Sequence, residues 1–61
     1  MKFKYTTDDS RELVTFDEFS DFLRIVHADG GLYVHVNDGR RVLLTKRRAL
    51  ALAKAIIEEL S

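Results

Sequence analysis

Three consecutive cations, Lys46, Arg47 and Arg48, open the longest periodic segment of the chain, and two carboxylates, Glu58 and Glu59, close it. A helix carries partial positive charge at its N-terminus and partial negative charge at its C-terminus. Each of these exposed side chains therefore opposes the dipole by about 0.3–1 kcal/mol. Free backbone N–H groups at such a helix start suit an anion, and three cations beside them suit a phosphate, an acidic partner or a nucleic-acid backbone. The competing account is internal neutralisation, with Asp29 in a neighbouring hairpin turn answering the cations and Arg40 and Arg41 answering Glu58 and Glu59. A sequence-independent nucleic-acid grip spreads Lys and Arg along a stripe and adds stacking aromatics, and only Tyr33 stands near cations here.

The remaining reactive side chains assemble into little chemistry. The two histidines, His27 and His35, fall on opposite faces of the strands expected below, so they cannot share a metal, and with no cysteine or close carboxylate trio a metal site is not expected. His27 reads as a structural residue at the rim of the core. His35, beside Arg24 and Arg41, reads as a surface histidine. Ser10, Ser20 and Ser61 lack an evident base and oxyanion hole. Asp8-Asp9 and Glu58-Glu59 read as solvated neighbours and not as a paired acid and base. Gly30-Gly31 belongs to a hairpin turn and not to a phosphate loop. No enzyme and no cofactor are expected.

The elements that must position these residues follow from periodicity. Over 46–60, Ala49, Leu50, Leu52, Ala53, Ile56, Ile57 and Leu60 fall within an arc of roughly 160° at 100° per residue, which predicts an amphipathic helix with Thr45 as N-cap. Upstream, Asp29-Gly30 is the dipeptide favoured in a two-residue type I′ turn, pairing Ile25 with Val34 and His27 with Leu32. A three-residue loop at Asn37-Asp38-Gly39, with Gly39 left-handed, pairs Val34 with Val42 and Leu32 with Leu44. A shift of one residue would drive Arg41 into the apolar row, so the pattern selects the longer loop. The expected core is a three-stranded antiparallel meander, 22–28, 31–36 and 40–44, with the helix on the face carrying Leu23, Ile25, Leu32, Val34 and Val36.

Residues 1–21 are read as one or two further strands. Phe3 and Tyr5 alternate with Lys2 and Lys4 as in an edge strand, Thr7 to Ser10 form a turn, and Glu12 to Phe16 suit a second strand. Phe16, Phe19 and Leu23 recur at helical spacing, and Thr15 and Glu18 have capping-box spacing, so one or two helical turns are expected at 16–21. One helix on one sheet face cannot hide all of the apolar side chains in this region.

The same register sends Arg24, Val26, Tyr33, His35, Arg41 and Leu43 to the opposite face, with Arg24, His35 and Arg41 in one cross-strand row and Val26, Tyr33 and Leu43 in the next. A solvated sheet face should be mostly polar, and half of this one is apolar. Two covers are expected. Either the N-terminal segment lies over or alongside it, with Asp17, Glu18 or Asp21 answering Arg24 and Arg41, or a second copy of the chain packs there.

The 61 residues hold ten basic and ten acidic side chains and no proline or cysteine. Zero formal charge argues against a general polyanion binder. Residues 1–31 carry four cations and seven anions while 32–61 carry six and three, so the halves attract. No signal-peptide h-region or membrane span is evident, and a cytoplasmic protein is expected. Without cysteine, so small a chain lacks disulfide support for a thin core, which favours association. The expected fold is a single small α+β domain over 1–61. Its strand, hairpin, strand, helix order with an Ala/Leu-rich closing helix resembles many short proteins of bacteria and their phages, a likeness of pattern that carries no site residues. The expected role is a regulatory or adaptor protein that binds itself as a homodimer and a second protein through Arg24, Tyr33, His35, Arg41 and Leu43. The alternative is a nucleic-acid-associated protein contacting phosphates through Lys46, Arg47 and Arg48.

Overall fold

The computed structural model describes residues 1–28 and 30–61. Five strands run β1 Lys4–Tyr5, β2 Arg11–Phe16, β3 Phe22–Ala28, β4 Gly31–Val36 and β5 Arg41–Thr45, and one helix, α1, spans Lys46–Leu60. The strands form a single antiparallel sheet in sequence order, so every connection is a hairpin. This is an α+β fold.

The hydrophobic alternation sets the register as expected. Ile25 faces Val34 and His27 faces Leu32, while Val34 faces Val42 and Leu32 faces Leu44. Leu13 joins the row of Ile25, which places Leu13, Ile25, Val34 and Val42 across four strands on the helix side. The N-terminal strands extend the sheet from β3 and do not fold over it. They lie alongside because β2 carries its own alternating pattern and pairs along its full length, from Arg11 opposite His27 to Phe16 opposite Phe22.

Two turns differ from expectation. Residues 17–21 form a hairpin loop and not helical turns: the Asp17 N–H donates to the Asp21 carbonyl at 2.9 Å, and Asp17 Oδ1 accepts from the Phe19 and Asp21 amides at 2.8 and 3.0 Å. The side chain of Asp17 thus offers the backbone the hydrogen bonds that a helix would have supplied. Phe16 and Phe22 then meet as a cross-strand pair, with ring centroids 5.5 Å apart. In the next hairpin the left-handed residues are Asn37 (φ 52°) and Asp38 (φ 57°), not Gly39. The Gly39 N–H donates to the Val36 carbonyl at 2.9 Å, closing a type I′ turn inside the four-residue connection 37–40. Asparagine and aspartate tolerate this conformation because their short polar side chains bond nearby groups. Asn37 bonds to the neighbouring hairpin: its Oδ1 accepts from the Phe22 amide at 2.8 Å and its Nδ2 donates to Asp21 Oδ1 at 2.9 Å. Replacing Asn37 by Ala removes both bonds and leaves a left-handed alanine. Urea denaturation should show a loss of about 2 kcal/mol, with Asn37→Gly losing less because its backbone is unstrained.

Thr45 ends β5 and caps α1 with no intervening loop, its Oγ1 accepting from the Arg48 amide at 3.3 Å. At the other end Ser61 Oγ donates to the Ile57 carbonyl at 2.6 Å. These two bonds satisfy groups at both ends of a helix whose charges oppose its dipole. Among the strands, α1 approaches only β4 and β5. No apolar side chain is fully buried among the described residues, and Leu52 and Ile56 remain 51% and 50% exposed.

Candidate binding site on the outer face of the sheet

The face opposite α1 holds the expected residues in the expected rows. Arg24 faces His35 and His35 faces Arg41, while Val26 faces Tyr33 and Tyr33 faces Leu43. On β2, Val14 extends the first row and Glu12 the second. Since β1 and β2 lie alongside, no described strand or helix crosses over this face.

Arg24 is held by partners that sequence reasoning did not assign. Its Nη1 donates to Glu12 Oε2 and its Nε to Asp38 Oδ1, both at 2.8 Å. These hydrogen bonds, Glu12 first and Asp38 second, raise the guanidinium pKa above its ordinary value despite an opposing desolvation effect. Because the bonds hold the guanidinium in its charged form, they favour the folded state at neutral pH. The expected acids, Asp17, Glu18 and Asp21, do not pair with Arg24 or Arg41: Asp17 and Asp21 are engaged in the hairpin loop instead. Glu12 was legible in principle, because its strand places it diagonal to Arg24 on the same face. Asp38 was not, because its reach depends on the left-handed turn.

Arg41 makes a different contact. Its guanidinium carbon lies 4.7 Å from the centroid of the Tyr33 ring, and no described carboxylate pairs with it. Beside them Leu43 is 55% exposed. His35 bonds weakly at the rim, with Nδ1 at 3.5 Å from the Gly39 carbonyl. The outer face thus divides into a neutralised end, Glu12–Arg24–Asp38, and a free end where a cation, an aromatic ring and an apolar side chain stand together.

The other candidates are dispersed. His27 lies on the helix side, where its Nδ1 accepts from Arg11 Nη2 at 2.7 Å while the same guanidinium stands 5.6 Å from the Tyr5 ring centroid. Lys46, Arg47 and Arg48 are exposed on the first turn of α1 and pair with no described acid. The proposed neutralisation by Asp29 lies outside the described residues. Glu58 and Glu59 form no ion pair with Arg40 or Arg41, and Arg41 lies on the face away from α1. No described helix is long and apolar enough to cross a membrane. Comparison with family models, with curated proteins and with solved structures returns no match.

Proposed function

We propose that this chain is a small non-enzymatic regulatory or adaptor protein of the cytoplasm, a homodimer that captures a second protein through the outer face of its sheet. The observation that carries the reading is the free end of that face: the Arg41 guanidinium over the Tyr33 ring, with exposed Leu43 beside it. Arginine and tyrosine are the residue types on which binding energy concentrates, because they bring large contact area and directional donors at modest entropic cost. A cation already laid on an aromatic face is also partly ordered before the partner arrives. Arg24, fixed between Glu12 and Asp38, and His35 flank this contact and shape its rim.

The test is a pull-down with the tagged protein and its Tyr33→Ser/Leu43→Ser variant, with circular dichroism of both. Both side chains stand on the face away from α1, so the variant should keep its helical signal and lose the captured protein. Capture at the wild-type level by a folded variant would place the binding surface elsewhere.

A further inference from the structure

We infer that the open cleft between α1 and the inner face of the sheet is the dimer interface, occupied by α1 of a second copy of this chain. The inference rests on the homodimer reading above and assigns it a surface, one different from the outer face that the sequence suggested. The outer face is thereby left free for the captured protein.

A folded monomer of 7.0 kDa should expose roughly 4,000 Å². This chain exposes 5394 Å². The surplus, roughly 1,400 Å² per chain, falls within the range of about 1,000–2,500 Å² that each protomer contributes to an obligate homodimer. The radius of gyration agrees: it is 12.2 Å, against roughly 10.5 Å for a compact 61-residue domain.

The exposed apolar side chains include Leu52 and Ile56 of α1 and Val36 and Val42 on the helix side of the sheet. A cleft of about 280 Å³ opens there, with Phe3, Leu23 and Ile25 among the side chains on its floor and Leu52, Ala53 and Ile56 on its helical wall. Among the described residues, no charged side chain lines it. A binding module that releases its partner keeps a core of its own, whereas an obligate homodimer interface resembles a domain core cut in half. This chain has no fully buried apolar side chain among its described residues and a wholly apolar cleft, which is the second condition.

Geometry favours a helix as the occupant. Five strands at about 4.8 Å spacing make a face roughly 20 Å wide, and a helix with its side chains covers about 10 Å. With α1 over β4 and β5, the remaining width over β1 to β3 is that of one more helix. The chain itself supplies one with an unsatisfied apolar ridge, Leu52 and Ile56 at i and i+4, each half exposed. Floor and ridge thus occur on the same molecule. A two-fold axis satisfies both on both copies, the self-complementarity that an isologous interface requires.

Light scattering at micromolar concentration, on wild type and two glutamate variants, makes the first test. Wild type should have the mass of two chains, Ile56→Glu should weaken association by about a hundredfold or more, and Leu43→Glu should leave it unchanged. Because a dissociated Ile56→Glu chain can also unfold, the contact is read independently on folded protein. The chain has no native cysteine, so an Ile25→Cys chain and a Leu52→Cys chain are mixed and treated with a short bis-maleimide, and the products are identified by mass. A mixed dimer joining floor to ridge supports the inference. Its absence in a two-chain particle, as β5 edge pairing or an outer-face dimer would give, overturns the inference and leaves the homodimer standing. A one-chain mass for wild type overturns both the inference and the dimeric half of the proposed function, leaving capture through Tyr33 and Leu43 to its own test.

Discussion

Diluting the protein a hundredfold is expected to lower its thermal midpoint by about 10 °C. Unfolding enthalpy runs at about 0.7 kcal/mol per residue near 60 °C, so two chains of 61 residues absorb about 85 kcal/mol. If folding and association are one event, the mass-action contribution changes by about 2.7 kcal/mol over a hundredfold in concentration. The ratio of these quantities, scaled by the absolute temperature, gives the shift. It is large because the isolated chain keeps so little apolar surface out of water: it buries just under half of the surface its unfolded form exposes, where a domain of this size ordinarily buries about 60%. Calorimetry or circular dichroism at two concentrations decides the matter. A midpoint independent of concentration would mean that the chain is stable alone, and the exposed ridge on α1 would then need another explanation.

Replacing Gly31 by Val is expected to cost about 2 kcal/mol, or about 10 °C in midpoint for a domain of this size, although valine is otherwise a favourable strand residue. Gly31 is buried at the start of β4, and a Cβ added there would sit 3.2 Å from both Leu43 Cδ1 and the Leu44 carbonyl oxygen. Leu43 can rotate away. The carbonyl belongs to β5, and Gly31 stands directly opposite Thr45, the residue that caps α1. Pushing this end of β5 outward therefore disturbs the junction that orients the helix. Gly30 provides the internal comparison: its φ is +75° and no atom lies within 4 Å of its added Cβ. Gly30→Ala should thus lose only the about 1–2 kcal/mol of left-handed strain. Urea midpoints for the two variants separate close approach from backbone strain. A Gly31→Val protein as stable as wild type would show that β5 yields freely.

The central sheet was legible because its two controlling patterns are local. Alternation of Leu23, Ile25, Leu32, Val34, Val42 and Leu44 admits one register, since a slip of one residue reverses every side chain. The 3.6-residue period from Ala49 to Leu60, preceded by Thr45, likewise admits one helix. Helical spacing misled at 16–21, where Phe16 and Phe22 are cross-strand partners and Asp17 closes the loop by bonding two amides. The left-handed turn was located correctly in the chain but assigned to glycine, because glycine has the lower intrinsic cost. The structure gives it to Asn37 and Asp38, whose side chains gain bonds to Phe22, Asp21 and Arg24 that glycine could not make.

By itself the sequence determined the α+β composition, the pairing of the last three strands, the capped helix and the two-row pattern of the outer face. All of these follow from periodicity and turn chemistry acting over a few residues. Tertiary structure decided that β1 and β2 lengthen the sheet instead of covering it, that Glu12 and Asp38 hold Arg24, and that α1 shields only two of the five strands. These outcomes depend on distances between segments far apart in the chain and on how wide a sheet one helix can cover, quantities that no local pattern encodes. The apolar cleft arises from that mismatch of widths, and so does the inference that a second helix fills it.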